Sequence, residues 1–304
     1  MVSPRIYEGG EYLDKGQRVI PGSILDGTLP ITLHANRGNT TLYDPELVLV
    51  PDEITDAAGR FAAFCIDGFP VWGYRPVDEI RIADLGVGSG NFLVSLIDGL
   101  KQPSDQPLHI QAIDKNANAL EIAQRNIGKS LSSLPRPHTV AYENSDYANS
   151  LAGYYGVIYF NPPFLERGHE ITHSEAALAP STALYSDSST NEYERVLPTI
   201  RQHVGEKGIA IIRLPREDQK IDVWIADFMN GDPNSNLLTV VSAKSKRVGR
   251  FLLMSGQAFP PALSEYDYFM NYLGGKDRRE RAKSGQIPIY HDDDCELVLL
   301  RTAN

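Results

Sequence analysis

The stretch that most constrains this chain is Ile80–Phe92, which reads IRIADLGVGSGNF. Its apolar first half, Ile80 to Leu85, is typical of a buried strand, and the glycines after it are typical of a tight turn into a helix. Glycine tolerates positive φ and has no Cβ, so the backbone of such a turn can approach a ligand closely. Helix-start amides nearby favour a polar or anionic group. The stretch therefore predicts a ligand-binding strand–turn–helix unit.

The glycine spacing indicates which ligand this turn takes. A dinucleotide-binding turn has the pattern G-x-G-x-x-G. Here Gly86, Gly88 and Gly90 give G-x-G-x-G, Asn91 stands where the third dinucleotide glycine would be, and Asp84 precedes the turn. This pattern resembles motif I of the class I S-adenosylmethionine-dependent methyltransferases. The alternative is a tight strand–helix turn without a ligand.

Strands and helices alternate along the chain, which predicts an α/β fold with a doubly wound, mostly parallel sheet like that of the class I methyltransferases. Seven strands are expected, at 80–85, 109–114, 139–142, 156–160, 209–214, 237–242 and 295–301. Residues 46–243 and 294–304 would form the catalytic domain. Residues 1–45 read as an irregular, partly β extension, a candidate substrate cover. Residues 244–293 read as an irregular insertion before the last strand, a candidate lid or docking element.

A second motif, Asn161-Pro-Pro-Phe164, directly follows the fourth predicted strand. Parallel strands bring their carboxyl ends to one sheet edge, so this motif and the glycine turn are expected to meet there. Two consecutive prolines fix φ and remove two amide donors, which makes a stiff corner. The Asn161 side-chain oxygen and the Pro162 carbonyl could accept both hydrogens of a planar nitrogen, and Phe164 could stack on the planar group. An ordinary loop start is the alternative.

Together the two motifs resemble the class I methyltransferases that carry an Asn-Pro-Pro-aromatic motif. These include the release-factor glutamine N5-methyltransferases, amino-methylating DNA and RNA adenine enzymes, and some small-molecule N-methyltransferases. Residues 175–185 are similar to the segment after the motif in the glutamine enzymes. Residues 49–56 stand where those enzymes carry an Arg-Pro-Glu-Thr-Glu word, of which Thr55 and nearby acids remain. Residues 1–45 differ from the helical recognition domain of those enzymes.

The resemblance implies S-adenosyl-L-methionine as the cofactor. The residues expected to bind it are Asp84, Gly86, Gly88, Gly90, Asp114, Asp146, Tyr147 and Thr55. The glycines would surround its methionine part, Asp114 would bind the ribose, and Asp146 with Tyr147 would lie near the adenine. Asn161, Pro162 and Phe164 would be the catalytic residues. Helix capping by Asp114 and a plain loop position for Asp146 are the alternatives.

Composition limits the classes of partner. The formal net charge is −10 and the pI is about 5.2, whereas proteins that bind a phosphate backbone usually have a basic face. Nucleic acid is therefore not expected as a partner. The two cysteines, Cys65 and Cys295, lack histidines at metal-ligand spacing, so no metal site is expected. No apolar run has the length of a membrane span, and a cytoplasmic location is expected.

The sequence thus predicts an S-adenosylmethionine-dependent N-methyltransferase acting on an amide-type planar nitrogen, with a protein glutamine side chain as the first candidate acceptor. One alternative is a small-molecule N-methyltransferase acting on an amide, guanidine or amino acid in a biosynthetic pathway. A nucleic-acid amino-methyltransferase is disfavoured by the acidic charge. A non-catalytic cofactor-binding protein is a further alternative, although such a protein has no need for a nitrogen clamp at Asn161.

Overall fold

The computed structural model describes residues 17–19, 29–33, 40–43, 53–67, 79–100, 104–163, 165–166, 185–186, 190–215, 218–230, 232, 234–242, 248–256, 286–291 and 295–300. The helices are α1 (Glu53–Ile66), α2 (Asn91–Gly99), α3 (Ala117–Leu131), α4 (Tyr147–Ser150), α5 (Asn191–His203) and α6 (Gln219–Met229). The strands are β1 (Gln17–Val19), β2 (Leu29–Leu33), β3 (Thr40–Tyr43), β4 (Ile80–Leu85), β5 (Leu108–Asp114), β6 (His138–Asn144), β7 (Tyr155–Phe160), β8 (Leu165–Glu166), β9 (Tyr185–Ser186), β10 (Val204–Leu214), β11 (Ser235–Ser242), β12 (Val248–Ser255), β13 (Gln286–His291) and β14 (Cys295–Leu300).

One large sheet organises the described chain. Its strand order is β13-β14-β11-β12-β10-β7-β4-β5-β6. The run β10-β7-β4-β5-β6 is parallel, and each of its crossovers carries at least one helix. The strands beyond β10 pair antiparallel. The predicted α/β fold is confirmed, with parallel pairing along the run from β10 to β6.

The sheet is larger than predicted, with nine strands in the described part of the chain instead of seven. β12 comes from the segment 244–293, which the sequence predicts to be irregular, yet it pairs with β10 on one side and β11 on the other. β13, from the same segment, pairs with β14. Four consecutive apolar residues of β12, Phe251 to Met254, are buried. Basic residues and glycines surround this short apolar run and obscure it in the sequence.

Helices cover the sheet on both faces. Alternate residues of each central strand enter different cores, as strand geometry requires. Ile82, Val157 and Ile211 pack in the core that includes α1, α2 and α3. Ala83, Ile158 and Ala210 pack in the core with α4, α5 and α6. The polar residues that continue each strand can therefore be assigned to a face by their register.

Helix α1 packs closely on α2, the helix that follows the glycine turn. A Cβ added at Gly59 would lie 2.5 Å from the backbone oxygen of Phe92, so a side chain at this position would force the helices apart. The buried Asp56 carboxylate accepts a 2.5 Å hydrogen bond from Ser95 of α2 and lies 3.2 Å from Arg60. These contacts hold the first turn of α1 at a fixed place above the sheet.

Two smaller sheets complete the described structure. β1, β2 and β3 form an antiparallel sheet within the predicted N-terminal extension. β8 and β9 pair in parallel after the Asn-Pro-Pro motif. Among the helices in the described ranges, none is both long and apolar enough to cross a membrane.

Candidate functional site

The carboxyl ends of β4 and β7 lie side by side. Leu85 is the register partner of Phe160 in this parallel pair. The glycine turn follows Leu85, and Asn161 follows Phe160. A Cβ built on Gly86 would lie 3.9 Å from the backbone oxygen of Asn161. The two motifs singled out by the sequence therefore meet at one sheet edge.

The glycine turn is held in a backbone shape that other residues rarely adopt. Gly86, Gly88 and Gly90 have φ values of 79°, 53° and 80°, in the left-handed region that glycine tolerates best. The side chain of Asn126, on α3, donates a 2.8 Å hydrogen bond to the Ser89 carbonyl. The turn is thus fixed against α3, and α2 begins directly after Gly90.

Asp84 is a buried acid at the end of β4. Both of its carboxyl oxygens are shielded from solvent and have no hydrogen-bond partner in the part of the chain that the structure describes. Burial raises the pKa of this carboxyl well above its ordinary value, and the nearby charge of Asp114 raises it further. Buried polar groups are normally hydrogen-bonded. A ligand carrying N–H donors would satisfy this group.

Asp114 is the last residue of β5, and its carboxylate joins the glycine turn to the segment just before α3. Its Oδ2 accepts a 3.0 Å hydrogen bond from the Gly88 amide, and its Oδ1 accepts a 2.8 Å bond from the Asn116 amide. Burial raises the pKa of Asp114, while these two bonds and the charge of Lys115 oppose the rise. Each carboxylate oxygen keeps a further acceptor position. The cap of α3 is Asn116, which accepts from the Asn118 amide, so the capping alternative for Asp114 is wrong.

Asp146 and Tyr147 follow β6 and have different environments. Asp146 is exposed and accepts two hydrogen bonds from Arg195 of α5, at 2.6 and 2.8 Å. Tyr147 is buried, with its ring edge-on to Phe160 at 5.2 Å and its hydroxyl donating to Glu192 at 2.9 Å. Tyr147 therefore packs against the carboxyl end of β7. Arg195, which sequence reasoning missed, holds Asp146 in place.

Thr55 is linked to the sheet edge through Tyr159, a second residue that the sequence analysis did not single out. Thr55 lies in the first turn of α1 and accepts a 3.2 Å hydrogen bond from the Tyr159 hydroxyl. The Tyr159 ring stacks on Phe92 with centroids 4.0 Å apart. Tyr159 is the register partner of Asp84. Its position two residues before the Asn-Pro-Pro motif, on the same strand face as Asn161, was the signal available in the sequence.

Asn161 presents a buried oxygen at this edge. Its Oδ1 is shielded from solvent and has no hydrogen-bond partner among the described residues. Pro162 is buried beside it. Phe164, the predicted stacking residue, lies outside the described residues, as does most of the segment 175–185. The structure thus brings Asp84, the glycine turn and Asn161 together, with Asp114 joined to the turn by a hydrogen bond.

Residues 75–184 match the family model described as methyltransferase small domain. The matched range contains the glycine turn, Asp114 and the Asn-Pro-Pro motif. This match supports the predicted S-adenosylmethionine-dependent methyltransferase activity. No curated protein sequence matches the chain.

Several solved structures resemble the chain at low sequence identity. The hMettl16 catalytic domain in complex with the MAT2A 3′UTR hairpin 6 is 14% identical, with 72% of this chain and 76% of that chain covered and a TM-score of 0.49. A Listeria monocytogenes protein described as a class I S-adenosylmethionine-dependent methyltransferase is 16% identical, with 66% and 59% covered and a TM-score of 0.43. An S-adenosylmethionine-dependent O-methyltransferase from Thermotoga maritima is 12% identical, with 68% and 66% covered and a TM-score of 0.41.

Proposed function

We propose that this methyltransferase acts on a planar, amide-type nitrogen, with a protein glutamine side chain as the first candidate acceptor. The observation that carries the proposal is the Asn161 side-chain oxygen, which is buried and lacks a hydrogen-bond partner among the described residues. It belongs to a residue whose backbone oxygen lies 3.9 Å from a Cβ built on Gly86 of the glycine turn. Leaving a buried acceptor unsatisfied costs about 1–3 kcal/mol. An N–H group of the methyl acceptor would recover that free energy.

The chemistry explains why an oxygen is needed at this point. The lone pair of a planar nitrogen is delocalised, so the nitrogen is a poor nucleophile. The Asn161 oxygen and the Pro162 carbonyl would each accept one of its hydrogens and turn the lone pair out of the plane. S-adenosylmethionine, when bound, would supply an electrophilic methyl group. The acceptor nitrogen would gain a carbon–nitrogen bond and lose one proton to solvent, and the electrons of the broken carbon–sulfur bond would stay with sulfur. Positioning supplies most of the rate in such a reaction.

The residues around the turn fit the cofactor. Asp84 would accept hydrogen bonds from its ammonium group, which supplies the N–H donors that the buried carboxyl lacks within the described chain. Asp114 would bind the ribose hydroxyls with the acceptor positions that Gly88 and Asn116 leave open. Asp146, fixed by Arg195, would face the adenine side.

Thr55 and Tyr147 would act on this site indirectly. Thr55 would keep the Tyr159 hydroxyl aligned beside Asp84, because it accepts that hydroxyl's hydrogen bond. Tyr147 would hold Phe160, the residue before Asn161, through its ring contact. Both would affect the cofactor site by positioning other groups.

Substitution of Asn161 tests the proposal. Asn161→Ala should bind S-adenosylhomocysteine like the wild type, while methyl transfer falls by about 100- to 1000-fold, as when one transition-state hydrogen bond is removed. Asn118→Ala, an exposed asparagine on α3, is the matched control and should keep full activity. Acceptors to compare are a glutamine peptide, small amides and amino acids, and an adenine-containing oligonucleotide. Wild-type transfer rates in Asn161→Ala would refute the proposed function of Asn161.

A further inference from the structure

Arg213, the second-last residue of β10, lies level with Asn161 on the neighbouring strand. Ile212 is the register partner of Phe160 in the parallel β10–β7 pair, so the next residues along, Arg213 and Asn161, are neighbours at the carboxyl edge. Ile211 packs in the core under α1 and α2. Because side chains alternate along a strand, Arg213 belongs to that same face.

The Arg213 guanidinium has no counter-charge among the described residues. Its Nη1 is shielded from solvent and has no hydrogen-bond partner there. Its charged group stands over the Phe251 ring, with Cζ 5.2 Å from the ring centroid. By contrast, Arg250 on the adjacent strand pairs with Asp222. Arg213 as a whole is half-buried. Arginine stays charged in proteins and shielded polar groups are normally paired, so the shielded Nη1 suits an anion from outside the described chain.

The surroundings hold the backbone of Arg213, leave room for its guanidinium and favour negative charge. The buried Tyr193 hydroxyl donates a 2.8 Å hydrogen bond to the Arg213 backbone oxygen. A Cβ added at Gly249 would lie 2.8 Å from Nη1 and would also collide with Ile54, so the bare glycine makes room for the guanidinium beside the first turn of α1. The positive end of a helix dipole lies at its first turn.

We propose that Arg213 is an anion-binding residue for the methyl acceptor, which therefore carries a carboxylate or phosphate group near the nitrogen that is methylated. This inference rests on the proposed function, because it adds a recognition point to the same site. The planar fork of arginine pairs well with either anion through two parallel hydrogen bonds. An acceptor held by Arg213 and Asn161 would be fixed at two points.

The order of the strands assigns this anion to the acceptor and not to the cofactor. The strands run β10, β7, β4 along the sheet. Asp84 and the glycine turn follow β4, Asn161 follows β7, and Arg213 lies on β10. Asn161 therefore separates Arg213 from the cofactor side. A group bound at Arg213 lies beyond the nitrogen clamp, where the body of the acceptor is expected.

Anion titration of the cofactor-product complex tests the inference. Wild-type protein saturated with S-adenosylhomocysteine is titrated with malonate or inorganic phosphate at constant ionic strength, with chloride as the reference, and thermal unfolding is followed. One of the two anions should raise the melting temperature with saturation, since a ligand of the native state stabilises it. A malonate response indicates a carboxylate acceptor, and a phosphate response indicates a phosphorylated acceptor.

Substitutions of Arg213 test whether this residue causes the anion-dependent rise in melting temperature. Arg213→Gln should weaken binding of the effective anion by about tenfold or more, as loss of a charge-assisted hydrogen bond does. Arg213→Lys should keep part of the binding, because it keeps the charge. Arg201→Gln is the control, since Arg201 lies in the last turn of α5, just before β10 begins, and is paired with Asp232.

Three results would overturn the inference: no saturable response of the wild type to either anion, equal anion binding in Arg213→Gln, or a loss of S-adenosylhomocysteine affinity in Arg213→Gln. The third result would place Arg213 on the cofactor. If Arg213→Gln does not fold, the wild-type titration and Arg213→Lys decide the matter. Failure of the wild type to bind S-adenosylhomocysteine would instead count against the proposed function itself.

Discussion

Replacement of Asp84 by asparagine should stabilise the cofactor-free protein and weaken its cofactor binding. Asp84 is 1% exposed, and neither carboxyl oxygen has a hydrogen-bond partner among the described residues. Its pKa in the folded state is raised, first by burial and then by the charge of Asp114. The native protein therefore holds this proton more tightly than the unfolded chain does. The stabilisation is present at low pH and is lost as pH rises through the folded-state pKa.

The size of the effect follows from the cost of an unsatisfied buried group, which is about 1–3 kcal/mol and larger for a charged group. Asparagine has nearly the same shape as aspartate, so Asp84→Asn leaves no cavity and removes the ionisation. We expect its free energy of unfolding at neutral pH to exceed that of the wild type by about 1–3 kcal/mol, which corresponds to about 2–4 °C in melting temperature per kcal/mol. Below the ordinary pKa of an aspartate the difference should shrink.

Circular dichroism melting curves of the cofactor-free proteins over a range of pH provide the measurement, and calorimetry gives the S-adenosylhomocysteine affinity. Asp105→Asn, at an exposed position, is the control and should leave both quantities unchanged. Asp84→Asn should lower the affinity, because the amide cannot offer two acceptor oxygens to an ammonium group. If Asp84→Asn melts below the wild type at neutral pH, the carboxyl is a satisfied structural group and the reasoning fails.

Three further substitutions test the glycine turn, helix α3 and Asp114. Gly90→Ala should cost about 1–3 kcal/mol of stability, because Gly90 has a positive φ and the new Cβ would lie 3.2 Å from Ile127. Gly128→Ala on α3 should instead stabilise the protein by about 0.5–1 kcal/mol in thermal melts, because the new Cβ meets nothing within 4 Å. Asp114→Ala should lose about 1.5–3 kcal/mol of S-adenosylhomocysteine binding by calorimetry while the protein stays folded, and unchanged affinity would exclude Asp114 from the cofactor site.

The parts of the fold that carry motifs could be predicted from local sequence. β4 and β7 are short apolar runs, each followed directly by a turn-forming motif, and parallel strands place such motifs at one edge. The structure shows that arrangement through the pairing of Leu85 with Phe160. The position of β12 could not be predicted, because its place between β10 and β11 depends on pairing between segments distant in sequence.

Side-chain partners were the least predictable part of the site. The sequence places Tyr147 next to Asp146 but does not tell which of them turns into the core, and the structure buries Tyr147 against Phe160. Arg195 and Arg213 both belong to elements beyond the Asn-Pro-Pro motif, and whether either finds an acid depends on tertiary packing. Arg195 pairs with Asp146, whereas Arg213 has no acidic partner among the described residues.

The most direct measurement is the identity of the atom that receives the methyl group. Wild-type protein and Asn161→Ala are incubated with S-adenosylmethionine carrying a ¹³C-labelled methyl group and with the acceptor panel of peptide, small amides and amino acids, and oligonucleotide. Nuclear magnetic resonance then correlates the labelled carbon with the atom bonded to it. We predict a methyl group on a planar nitrogen in the wild-type reaction and almost none with Asn161→Ala. A methyl group on oxygen, carbon or sulfur, or equal product from both proteins, would contradict the nitrogen clamp.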